Sequence, residues 1–141
     1  MSLTLIDSEA AIRTWARSES HITAAVADRV FFATPQTYER TAPESWIVLS
    51  LVTETHQPGD VGFQRPLIQF TCYGRTKAVA ADVALAVQAA GRSFVGRPVT
   101  VGPATIVAAE VSAKRWLPDP TTGTPRYVVD LLLAVRGAEA A

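Results

Sequence analysis

Apolar positions near the start of the chain recur at helical spacing. Ile12, Trp15 and Ala16 fall at i, i+3 and i+4 behind Asp7, Ser8 and Glu9. That pattern predicts an amphipathic helix over 8–18 with Ser8 as its N-cap and Glu9 in the first turn. Ser20 can cap a second, shorter helix carrying Ile22, Ala25 and Val26. The run from Arg29 to Phe32 reads as extended, and 33–45, with Pro35 and Pro43, as a connecting arm. Trp46 to Thr55 is rich in β-branched and aromatic residues and predicts a strand. A second strand follows from about Arg65 to Tyr73, ending at Gly74. The polar loop between them turns at Pro58-Gly59, so the two pair as an antiparallel hairpin. Residues 75–90 form the strongest helical stretch, striped by Val79, Val83 and Val87, with Gly91 as its stop. A third strand region covers 98–101 and 104–116, with a bulge or bend at Gly102-Pro103. The prolines of 117–125 mark an exposed, mobile loop. In the last strand, 126–136, Tyr127, Val129, Leu131, Leu133 and Val135 share one face.

The order helices, hairpin, helix, hairpin predicts an α+β fold. It has an antiparallel sheet of about four strands, a long helix between the hairpins on one face, and N-terminal helices. Chain length fits one domain spanning 1–141 with a flexible tail from about 137, and no solenoid-length repeat occurs.

The strands do not alternate cleanly. Opposite Ile47, Leu49 and Leu51 stand Trp46, Val48 and Val52; in the last strand the second face holds Val128, Leu132 and Ala134, relieved by Asp130 and Arg136. A sheet apolar on both faces has to be covered on both. So short a chain has few elements left for the second cover, so the pattern predicts a permanent homo-oligomer with Trp46, Val48, Val128 and Leu132 at its interface. The alternatives are cover by the N-terminal helix, or alanines simply tolerated in water.

Charge and composition narrow the function. Thirteen basic residues balance thirteen acidic ones, which lacks the cationic excess of a dedicated nucleic-acid binder or a polybasic membrane module. One cysteine, Cys72, excludes a disulfide framework or a Cys-rich zinc site. No run of about 18 apolar residues and no leader pattern occurs, so the expectation is a protein neither exported nor membrane-spanning. His21 and His56 have no partner at metal-ligand spacing, and Cys72 lies on the apolar face with Ile68 and Phe70. Gly91 to Arg97 follows a helix and opens none, so it cradles no phosphate. Glu54 and Asp60 could meet across the hairpin loop, as surface acids commonly do. Trp15, Trp46 and Trp116 read as packing anchors, with Trp116, beside the proline-rich loop, placed to touch a partner. The residues therefore point to no enzyme, cofactor, metal or catalytic group.

The segment Ala27 to Pro35 (ADRVFFATP) resembles a small-polar-Arg-Val-aromatic-Pro signature near the start of the tail-completion proteins, or tail terminators, of long-tailed bacteriophages. The strand Trp46–Thr55, the run Leu67 to Gly74 (LIQFTCYG), the Ala/Val-rich helix and a final hairpin with a long loop extend the likeness, in feature order, over about residues 5–136. The break at Gly102-Pro103 and the Pro-heavy loop depart from that pattern. The resemblance implies a ring, typically hexameric, at the head-proximal end of the tail in the virion, assembled in the host cytoplasm. Such a ring stacks on the last tail tube ring, ends tube growth and joins the head-tail connector. DNA would pass through it as cargo, and no membrane is involved. Turn chemistry and loop position then nominate the loops 56–62 and 117–125 for the axial contacts, with Asp60, Arg65, Trp116 and Asp119 as contact residues. Competing readings are a head-closure or neck protein, and a small ligand-binding or enzymatic α+β domain with a cleft near Cys72 and His56. A nucleic-acid role is the least favoured, although Arg13, Arg17, Lys114 and Arg115 could line a ring bore.

Overall fold

In the computed structural model, described over residues 6–55, 63–94 and 97–137, side-chain acceptors decide where the helices begin. Helix α1 (Ser8–Ala16) is capped by Asp7, which accepts from the Ala10 amide at 3.1 Å. The expected cap, Ser8, is displaced by one residue: it is buried, and its hydroxyl donates to Glu54 at 2.7 Å. Helix α2 (Ser20–Val26) likewise starts from Glu19, which accepts from the Ile22 amide at 3.0 Å. Helix α3 (Lys77–Arg92) is capped by Thr76 and runs through Gly91. Gly91 is therefore no helix stop. A Cβ there would stand 2.6 Å from Val111 Cγ2, so the glycine lets α3 lie close on the sheet.

The strands are β1 (Val30–Phe31), β2 (Ser45–Thr55), β3 (Phe63–Gly74), β4 (Val99–Val101), β5 (Ala104–Val111), β6 (Arg115–Trp116) and β7 (Arg126–Gly137). They lie in the order β1-β2-β3-β7-β5-β4, with β6 also on β7. The α+β class and both antiparallel pairs are present. The strand count rises because β1 joins β2 in parallel and the third strand region splits into β4, β5 and β6. Gly102-Pro103 is not a bend within one strand but the two-residue turn between β4 and β5. Val101 and Ala104 pair across it, and Gly102 adopts φ +54. The register shift sits further on, between Ile106 and Ala108.

One face of the sheet carries the core. Ile47, Leu49, Ile68, Phe70, Cys72, Val129, Leu131 and Val135 meet Ile12, Trp15, Ile22, Val26, Val83, Val87 and Phe94 from the helical layer. Each of the larger side chains contributes about 1.5–3 kcal/mol on burial. Helix α1 touches β1 and β2 at one end of the strand order and β4 at the other, so the sheet curls around its helices. A bulge between Leu51 and Thr53 turns Glu54 to the helical side. There Glu54 accepts from Ser8 and Gln64, and Gln64 also bonds both the amide (2.7 Å) and the carbonyl (2.9 Å) of Ile6. This buried polar knot fixes the start of α1 to β2 and β3.

Candidate functional site

Directly opposed residues of antiparallel strands share a face, so Trp46, Tyr73 and Arg126 form a row across β2, β3 and β7 on the side away from the helices. The Trp46 and Tyr73 rings stack 4.7 Å apart and 5° from parallel. The 32–44 arm, steered by Pro35 and Pro43, folds back over them. Thr34 accepts from the Trp46 indole at 3.1 Å, and Tyr38 meets that ring edge-on at 5.2 Å.

The other wall is the 117–125 loop. It is exposed, as expected, but bonded into one turn around Asp119. The carboxylate accepts from the amides of Thr121 (2.8 Å) and Thr122 (3.2 Å), and the Asp119 carbonyl accepts from Gly123 at 2.8 Å. Beneath it runs a polar relay: Arg126 donates to the Tyr73 hydroxyl at 3.1 Å, and that hydroxyl lies 3.5 Å from Asp119 Oδ2. Burial alone would raise the Asp119 pKa. The two amides, the Arg126 guanidinium 3.9 Å away and the Tyr73 hydroxyl outweigh it and hold the carboxyl below its ordinary value. Between arm and turn lies a cleft of about 260 Å³ floored by Trp46 and Tyr73 and rimmed by Arg75, Asp119, Thr122 and Thr124. An aromatic floor with a polar rim suits a short extended peptide segment.

The structure thus brings Asp119 to a cleft with Trp46. Trp116 is placed elsewhere: it pairs with Tyr127 on the helix-bearing face, where the Lys77 ammonium sits 4.7 Å from its ring centroid. Arg65 is on the outer face opposite Thr55. Asp60 and His56 lie outside the described residues. Of the four outer-face residues expected to meet another subunit, Trp46 is only 4% exposed and Val128 only 1%. The cover over Trp46 comes from the chain's own arm, whose sequence reads only as a connector. Val48 is half-buried, and Leu132 remains 41% exposed.

Arg13, Arg17, Lys114 and Arg115 are not brought together. Arg13 on α1 and Arg17 at its C-cap lie beside β1; Lys114 stands over the Tyr127 ring and Arg115 pairs with Asp130 at 2.9 Å. Cys72 is fully buried and burial pushes its thiol up, so it offers no thiolate. His21 is exposed and bonds Glu19 at 2.7 Å. No group of three potential metal ligands occurs among the described residues. Sequence reasoning missed Tyr73, Arg126 and Thr34. The sequence points to Trp46 and Asp119 on other grounds; the Asp-x-Thr-Thr-Gly order is the local signal that encodes the turn.

No model of a known protein family matches the sequence, and no curated protein matches it. Among solved structures the fold matches a chain described as "Virion of native gene transfer agent (GTA) particle", with a TM-score of 0.62. The match covers 92% of this chain and 94% of that one, at 15% sequence identity. A likeness at that identity establishes a shared fold over nearly the whole of both chains.

Proposed function

We propose that this chain is a structural protein of a phage-like virion and, within it, a tail terminator: a ring that caps the tail tube, ends its growth and offers a joining surface to the head. The observation that carries the reading is the mutual coverage of 92% and 94% with a chain of a virion particle. The order of features along about 5–136, which resembles tail-completion proteins, supports the finer role.

The mechanism is steric and associative. A ring seated on the last tube ring occupies the face on which the next tube subunit would add, and presents a different face to the connector. In this reading the cleft between the 32–44 arm and the Asp119 turn takes a segment of the axial partner, with Arg65, Trp116 and the 56–62 loop carrying Asp60 as further contacts. Val48 and Leu132, on the outer face, meet neighbouring subunits, and Trp46 and Val128 support that face from within. No bond is made or broken, so the protein works as a plug and an adaptor at the head-proximal end of the tail.

Electron microscopy of particles assembled without the protein tests this. Overlong tails are the expected outcome. Tailless, leaking heads would assign it to head closure or the neck, and particles of normal form would remove it from virion assembly altogether.

A further inference from the structure

Arg13 on α1 and Arg17 at its C-cap stand one turn apart, and both donate through Nε to the same acceptor, the Val30 carbonyl, each at 3.1 Å. That carbonyl belongs to β1, the end strand of the sheet. The guanidinium of Arg13 lies 4.8 Å from the Phe32 centroid, and Phe32 is 43% exposed. Anchoring through Nε leaves the terminal nitrogens of both forks available. Neither arginine meets a carboxylate among the described residues, and Asp28, exposed close by, pairs with neither. Two like charges drawn to one oxygen repel; an anion set between the forks removes that cost.

The same chain carries a surface of opposite character. The outward stripe of α3 presents Ala78, Asp82 and Leu85, and Leu85 is 51% exposed. Positions 78, 79, 85 and 86, one turn either side of Asp82, are all apolar, and Asp82 has no bonding partner among the described residues. It is an isolated carboxylate in an apolar helical surface.

We infer that a second copy of this chain seats its Asp82–Leu85 stripe on the Arg13–Arg17–Phe32 patch, with Asp82 between the two forks and Leu85 on the Phe32 ring. Cation beside aryl meets anion beside alkyl, in a chain whose formal net charge is zero. A phosphate backbone would use the arginines but leave Phe32 unmatched. The two patches are different surfaces, so the contact is heterologous and each subunit can both give and receive it. Its closure into a ring rests on the reading proposed above.

Sedimentation of the full chain, alone and with tail tubes, tests the contact using Arg17→Asp and Asp82→Arg. Each variant should self-associate about thirtyfold more weakly or worse. Mixing the two should restore association, because one retains the patch and the other the stripe. Asp82 is exposed and bonds nothing, so Asp82→Arg keeps the test independent of any folding defect in Arg17→Asp. Unchanged association of Asp82→Arg, no recovery on mixing, or a wild-type monomer under every condition would overturn the contact. Duplex DNA binding that Arg17→Asp alone abolishes would overturn it in favour of a phosphate ligand. A closed ring indifferent to Asp82→Arg leaves the ring reading standing and the contact refuted. A chain that lengthens without closing, and that Asp82→Arg disperses, does the reverse.

Discussion

Gly74→Ala is the sharpest test of the packing that sets this fold. Gly74 ends β3, donates to the Pro125 carbonyl at 3.1 Å and forms part of the cleft wall. A Cβ placed there would stand 2.4 Å from the Ala80 amide nitrogen, 2.9 Å from the Val79 carbonyl carbon and 3.0 Å from Ala80 Cα. All three atoms are backbone in the first turns of α3, so no rotamer change relieves the clash; the helix or the strand has to move. Overpacking costs about 1–3 kcal/mol where side chains can adjust, and here the upper figure applies. At about 4 °C per kcal/mol for a domain of this size, Tm should fall by about 12 °C in a thermal melt followed by circular dichroism. Urea unfolding should show a lower midpoint at unchanged slope. Gly102→Ala is the comparison: that residue has φ +54 but open space around it. It should cost only the left-handed strain, about 1 kcal/mol. A Gly74→Ala protein melting within about 2 °C of wild type, or no worse than Gly102→Ala, would refute the claim that α3 and β3 meet backbone to backbone.

Two further outcomes follow from the site and the core. Because the Asp119 pKa is lowered in the folded protein, the turn contributes stability above the unfolded carboxyl value near 3.9 and loses it as pH falls through the lower folded value. Asp119→Asn should therefore cost about 1 kcal/mol at neutral pH and converge with wild type well below pH 4; a Tm difference independent of pH would contradict this. Cys72, fully buried with its thiol pushed up, should resist a maleimide until urea unfolds the chain, and rapid labelling of the native protein would place it at a surface instead.

Periodicity, residue type and turn residues together located the three α-helices and the long strands β2, β3 and β7 to within a few residues, whereas the 3-10 turn Gln36–Glu39 lies in the stretch that reads as a plain connector. Periodicity also marked Ile47, Leu49, Val129 and Leu131 as one layer of the core, now seen under the helices. The 117–125 loop reads as exposed and mobile from its prolines, yet a short polar side chain, two threonines and a glycine bond it into one turn. What else escaped depended on contacts far apart in the chain. Gly91 reads as a helix stop, yet Val111 and Leu131 make it a place of close approach. Ser8 reads as a cap, yet Glu54, 46 residues on, claims its hydroxyl. Trp46 reads as surface for a neighbour until the arm turns back and Thr34 and Tyr38 cover it. Local spacing fixes which atoms can lie on one side of an element; which partner arrives there is decided by the folded chain as a whole, through long-range contacts whose closure no short window of residues encodes.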